Sequence, residues 1–250
     1  MDSNHKLIPW RFVIHGCIDG ASRSIIYLKA ATNNTAGQVL KYFQQGCTNF
    51  GTPFRVRADH GVENVDVARF MIDMRGAGRG SYITGRSVHN QRIERLWRET
   101  NRVVSRQYRE IFQDLENGNF LSQLDEVDLF CLHLVYLPRV QRSLDAFVSL
   151  HNNHNVRTEG NKTPLDLWHY GVNQNLNLVE DIGDPEAYGI DYEGPVPQIQ
   201  TNNNVEVPEV VLDLPQSIQD ELSSFNAFQD DNNFGIDLYL QLRTYLNNQV

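Results

Sequence analysis

The stretch Phe54-Arg55-Val56-Arg57-Ala58-Asp59-His60-Gly61-Val62-Glu63-Asn64 alternates apolar and polar side chains as far as Ala58, then turns. It reads as a short strand that delivers Asp59 into the turn His60-Gly61. Upstream, residues 10–14 and 24–30 are rich in Val, Ile, Phe and Tyr and flank the turn-like Asp19-Gly20-Ala21-Ser22, which predicts a hairpin. Between hairpin and strand, residues 35–50 place Val39, Leu40, Tyr42 and Phe43 at helical spacing, with Thr35 as N-cap and Gly51-Thr52-Pro53 as stop.

Downstream the pattern is helical over residues 64–74. A glycine-rich loop, Arg75-Gly76-Ala77-Gly78-Arg79-Gly80, then leads to a strand at residues 81–84. Ser87 is placed to cap a long helix reaching residue 112, and a second helix is expected over residues 125–150, kinked or divided at Pro138. Residues 173–204 are rich in Asn, Gly, Pro and Asp and predict irregular structure, while residues 235–246 carry apolar side chains at near-helical spacing and predict a docking helix.

A chain of 250 residues with 40% hydrophobic content is long enough for one sizeable α/β domain and an extension. No apolar run reaches the roughly 20 residues that span a bilayer, and no signal-peptide pattern opens the chain, so an intracellular protein, nuclear or cytoplasmic, is expected. Three scattered cysteines, Cys17, Cys47 and Cys131, suggest neither a disulfide framework nor a zinc site. The net charge of −9 is concentrated: residues 196–250 hold Glu206, Glu209, Asp213, Asp220, Glu221, Asp230, Asp231 and Asp237 against Arg243 alone. The rest is nearly neutral, so bulk charge argues neither for nor against a polyanionic partner.

Asp59 at a strand end and Glu94 in the first turns of a helix are the residues that suggest chemistry, with Asp2 directly ahead of the hairpin as a third carboxylate. Phosphodiester chemistry uses such a trio, because two hard cations about 4 Å apart need carboxylate oxygens on a rigid scaffold. Asp19 is the rival first ligand, although a strand-end turn also explains it. On the Glu94 helix, at about 100° per residue, Arg92, Arg95, Arg102, Arg106 and Arg109 share one arc opposite Ile93, Val104 and Ile111. That stripe suits phosphate contact, and Lys6 and Arg79 would extend it.

Four local patterns occur in a fixed order. Asp2-Ser3-Asn4-His5-Lys6-Leu7-Ile8 precedes Trp10-Arg11-Phe12-Val13-Ile14-His15-Gly16-Cys17-Ile18-Asp19-Gly20, followed by Ser22-Arg23. Arg57-Ala58-Asp59-His60-Gly61 comes next, then His89-Asn90-Gln91-Arg92-Ile93-Glu94-Arg95-Leu96-Trp97. Last is Leu150-His151-Asn152-Asn153-His154-Asn155-Val156-Arg157 with Lys162-Thr163-Pro164. Together they resemble the integrase catalytic core of retroviruses and transposons, and most closely the integrase cores of eukaryotic transposon-derived proteins.

The resemblance implies an RNase H-like α/β fold, a mixed five-stranded sheet flanked by helices, over residues 1–172, with an irregular acidic extension over residues 173–250. Since Met1 alone precedes Asp2, a first strand lacking its N-terminal half is expected. The implied activity is a DDE-type nucleotidyltransferase that processes DNA ends and transfers strands, with Asp2, Asp59 and Glu94 holding two Mg²⁺ or Mn²⁺ ions. The implied partners are DNA and further copies of the chain, with no membrane. The alternative is a domesticated, catalytically inactive module that binds nucleic acid or protein through the same fold. An RNase H-like nuclease acting on RNA–DNA hybrids is a third reading.

Overall fold

The computed structural model describes residues 1–59, 61–85, 91–174 and 205–249. In chain order these form β1 (Asp2–Asn4), β2 (Val13–Ile18), β3 (Ile25–Ala31), α1 (Ala36–Phe50), β4 (Val56–Ala58), α2 (Val65–Arg75) and β5 (Tyr82–Thr84). There follow α3 (Gln91–Thr100), a π-helical turn (Asn101–Ser105), α4 (Arg106–Asn117), α5 (Glu126–Asn153), α6 (Pro164–Gln174), α7 (Gln216–Ser223) and α8 (Ile236–Asn247). Thr35 caps α1 by accepting the Gln38 N–H, and Asp125 caps α5 by accepting from Val127 and Asp128.

β1, β2 and β3 form an antiparallel meander in which Asp2 lies opposite Gly16, and β4 pairs in parallel with β5. The strands thus pair as a three-stranded and a two-stranded piece, and hydrogen bonding among the described residues does not join them into the single five-stranded sheet expected from the sequence. Across the seam Met1 donates its terminal amine to the Arg57 carbonyl at 2.8 Å. One bond aligns the two pieces without making the repeated exchange of a ladder.

Alternation along the strands sends side chains to both faces. Ile14, Ile25, Leu28 and Ala30 join one core with α3, α4, α5 and α8, whereas Tyr27 joins Met1, Val39, Phe43, Val56, Val67 and Met71 on the side of α1 and α2. The meander is therefore the middle of three layers, which is why its strands are apolar on both sides.

The helix expected to run regularly to residue 112 contains the π turn and continues as α4. Its buried positions explain this. Thr100, Val104, Tyr108 and Phe112 recur at every fourth residue, a spacing that outruns 3.6 and would drift around a regular helix. The extra residue of a π turn brings the apolar face back over the sheet. The arc calculated for the arginines assumed an unbroken helix and is corrected for the same reason.

α5 runs unbroken through Pro138 as one element. It also closes the free edge of β3. Asn152 accepts from the Ile25 N–H at 2.8 Å and donates to its carbonyl at 2.9 Å, while Gln141 accepts from Ala30 N–H at 2.9 Å and donates to Leu28 O at 3.1 Å. Two amide side chains thereby satisfy backbone groups that an adjoining strand would otherwise take.

On the far side of α5, α8 buries Leu238, Tyr239, Leu242 and Leu246 in the main core. Tyr239 donates its hydroxyl to Phe120 O at 2.9 Å, and Arg243 pairs with the buried Asp128. Of the segment expected to be irregular, residues 175–204 lie outside the described residues.

Candidate carboxylate site

Asp2, on the short β1, receives a 2.9 Å hydrogen bond on Oδ2 from the indole Nε1 of Trp97. The ring reaches it because Gly16, the residue paired with Asp2, has no side chain: a Cβ there would collide with Trp97 and come within 2.9 Å of Leu28. One helical turn on, Asn4 repeats the contact, donating to Asn101 Oδ1 at 3.1 Å. Two same-face residues of a strand thus meet two same-face residues of a helix.

Asp59 follows β4. Its Oδ1 accepts from the Gly61 N–H at 3.1 Å and from the Asn64 side-chain amide at 2.9 Å. Glu94 lies in the first turn of α3. Asp2 and Glu94 both feel the negative charge of Asp59, and Asp2 also feels that of Glu94. Burial first, then the negative charges of Asp59 and Glu94, push the Asp2 carboxyl up to about 7, against the opposing hydrogen bonds from Trp97 and the Ser3 backbone. Glu94 is also raised, by burial and then by Asp59, with Arg98 and Lys6 drawing it back. The structure therefore brings the three sequence-predicted acids into one electrostatic neighbourhood. Among the described residues, however, no three His, Cys, Asp or Glu side chains stand ready to hold a metal ion.

Sequence reasoning missed the fourth acid in this neighbourhood. Glu63 is buried, and desolvation followed by Asp59 raises its pKa, partly offset by its own backbone N–H. It folds back over Gly61, whose hypothetical Cβ would lie 2.5 Å from both Glu63 carboxylate oxygens. The signal was present as Gly at that spacing before Glu. His5, near Asp59, is held below its ordinary pKa chiefly by burial.

A family model described as "Integrase core domain" matches residues 1–180. The chain belongs to the integrase core domain family. No curated protein and no solved structure matches it.

Within this integrase core the remaining quoted residues sort by geometry. Asp19 Oδ2 accepts from the N–H groups of Ala21 and Ser22 and from the Ser22 hydroxyl, so its carboxylate is engaged in the turn. The closing segment is structural: Asn152 clamps Ile25, His151 bonds Arg23 O at 3.0 Å, and Thr163 with Asp166 forms a reciprocal cap on α6. Ser87, His60, His89 and Asn90 lie outside the described residues.

Lys6, Arg79, Arg95, Arg102, Arg106 and Arg109 are exposed and Arg92 is half-buried. Arg102 pairs with Glu99 and Arg106 with Glu110, both at 2.8 Å, which neutralises part of the stripe. Arg98, exposed beside Glu94, is a cation that the stripe did not include. Among the described residues no helix is long and apolar enough to cross a membrane.

Proposed function

We propose that this integrase core is a metal-dependent polynucleotidyl transferase that processes DNA ends and joins them to target DNA, with Asp2, Asp59 and Glu94 as its catalytic carboxylates. The observation that carries this reading is the convergence of three acids, from β1, the end of β4 and α3, on one neighbourhood in which Asp2 and Glu94 are raised by burial and by the carboxylates around them. Such an arrangement destabilises the fold unless a cation or proton relieves it.

The donor set fits hard divalent cations, Mg²⁺ or Mn²⁺: it is made of carboxylate oxygens, and the half-buried Asp2 is held with like charges rather than a basic partner. Bound ions would polarise the attacking and leaving oxygens of a phosphodiester. The chain's own part is to place the acids and to hold the nucleic acid. Lys6 and Arg98 draw on Glu94 from beside it, and Arg92, Arg95, Arg102, Arg106, Arg109 and Arg79 offer guanidinium groups to phosphates. The Met1–Arg57 bond supports a five-stranded order β3-β2-β1-β4-β5 of the RNase H type, with residues 1–172 as core and 173–250 as extension. Self-association, expected of such enzymes, completes the reading.

The second reading, an inactive module that binds DNA or protein, is favoured by the lack of a preformed metal cluster among the described residues. A strand-transfer assay with a preprocessed donor end separates the two. Product that requires Mg²⁺ and disappears in Asp59→Asn and Glu94→Gln supports the transferase. DNA retention without product, unchanged in those variants, sinks it in favour of the module.

A further inference from the structure

Glu94 and Trp97 are three positions apart on α3, one turn of helix, so their side chains leave the same face. Glu94 is one of the carboxylates assigned to the site, and Trp97 hydrogen-bonds another, Asp2. The relative placement of two acids that come from distant parts of the chain is thus reduced to the spacing of two residues on one rigid element.

We infer that Trp97 is a positioning residue of the site, its indole N–H holding Oδ2 of Asp2 so that Oδ1 is the oxygen presented to a divalent cation. The inference rests on the reading of Asp2, Asp59 and Glu94 as cation ligands. Three observations carry it. Trp97 is only 5% exposed, and the N–H that meets Asp2 is a donor with no capacity to accept. The place its ring occupies exists because residue 16, opposite Asp2, is glycine; any larger residue there would drive the ring from the carboxylate. The Asn4–Asn101 hydrogen bond ties β1 a second time, to the π turn that continues the same helix. Hydrogen bonds of this outer kind orient metal-binding carboxylates, and their loss weakens metal affinity roughly 10- to 100-fold.

The test uses the full chain. In a ¹H–¹⁵N spectrum the indole signal of Trp97 should move on addition of MgCl₂, over the same MgCl₂ range that displaces Mn²⁺ whose binding is followed by electron paramagnetic resonance. Trp10, whose Nε1 donates to Glu116 at 3.0 Å, is the internal reference and should stay still. Trp97→Phe keeps most of the packing and removes the donor; with an unchanged circular dichroism spectrum it should bind Mn²⁺ at least tenfold more weakly. Should that variant not fold, the wild-type indole signal decides alone. If Mn²⁺ binds and Asp59→Asn abolishes it, but the Trp97 signal does not respond or Trp97→Phe binds as well as wild type, the positioning role is overturned and the carboxylate site stands. If wild type binds Mn²⁺ no better than Asp59→Asn, the carboxylate reading fails and the role of Trp97 fails with it.

Discussion

Arg243, in the last helix, places its guanidinium against the buried carboxylate of Asp128 in the first turn of α5, with Nη2 at 3.3 Å from Oδ2. Among the described residues it is the cation paired with that acid. Asp128 is 1% exposed and also accepts from the Ser122 N–H, so its charge has no access to water. Arg243→Met should lower stability by about 3 kcal/mol, the low end for breaking a buried pair, because the arginine itself is partly exposed. Replacing both residues, Asp128→Asn with Arg243→Met, should recover much of the loss. Urea unfolding of the three proteins checks both statements, and a single variant as stable as wild type would show that α8 is not electrically tied to the core.

Asp2→Asn removes one of three repelling charges while leaving an oxygen for Trp97. In the wild type the folded carboxyl titrates near 7 against 3.8 unfolded, so its favourable contribution is complete below 3.8 and is lost as pH rises through 7. Without divalent cations the variant should therefore be more stable than wild type at pH 8, by on the order of 2 kcal/mol, and the gap should close toward pH 4. Added Mg²⁺ should stabilise the wild type more than the variant. Thermal unfolding with and without chelator measures this.

Histidines act in the opposite direction. Burial pushes His15 down to about 4, and lowers His133 and His151 as well. A histidine depressed on folding gives stability that is present above its unfolded value of 6.5 and is lost as pH falls toward 4. For His15 the loss is roughly 3 kcal/mol at most. Replacing His15 by Gln should flatten the decline of melting temperature between pH 6.5 and 4.5. A decline as steep as the wild type's would assign the effect elsewhere.

Asn152→Ala leaves the N–H and C=O of Ile25 unsatisfied in a buried position, a cost of about 2 kcal/mol or more. It also uncovers part of the β3 edge, so the variant should self-associate more readily at high concentration. Size-exclusion chromatography over a concentration series reads that directly.

Much of the fold was legible because local rules act over short distances. Thr35 and Gly51 bracket α1 as capping chemistry requires, and the alternation at residues 54–58 yields β4. Asp59 and Glu94 stood out for similar reasons, one at a strand end and one at a helix start. What was not legible depends on encounters between distant segments. The indole of Trp97 meets Asp2 across 95 positions, and nothing local distinguishes it from a core tryptophan. Gly16 looks like any glycine in a strand until its paired residue and the ring above it are known. Asn152, quoted as part of a family pattern, turns out to serve the edge of β3.

The π turn at Asn101–Ser105 makes the length of this helix a specification in its own right. Inserting one further residue there would rotate everything beyond it by roughly 100°. Tyr108 and Phe112 would leave the core while every catalytic candidate kept its identity. An insertion in this short span is therefore expected to be far less tolerated than substitution of its exposed Arg102 or Val103, whereas deleting one residue would let the backbone close to ordinary α geometry in the same register.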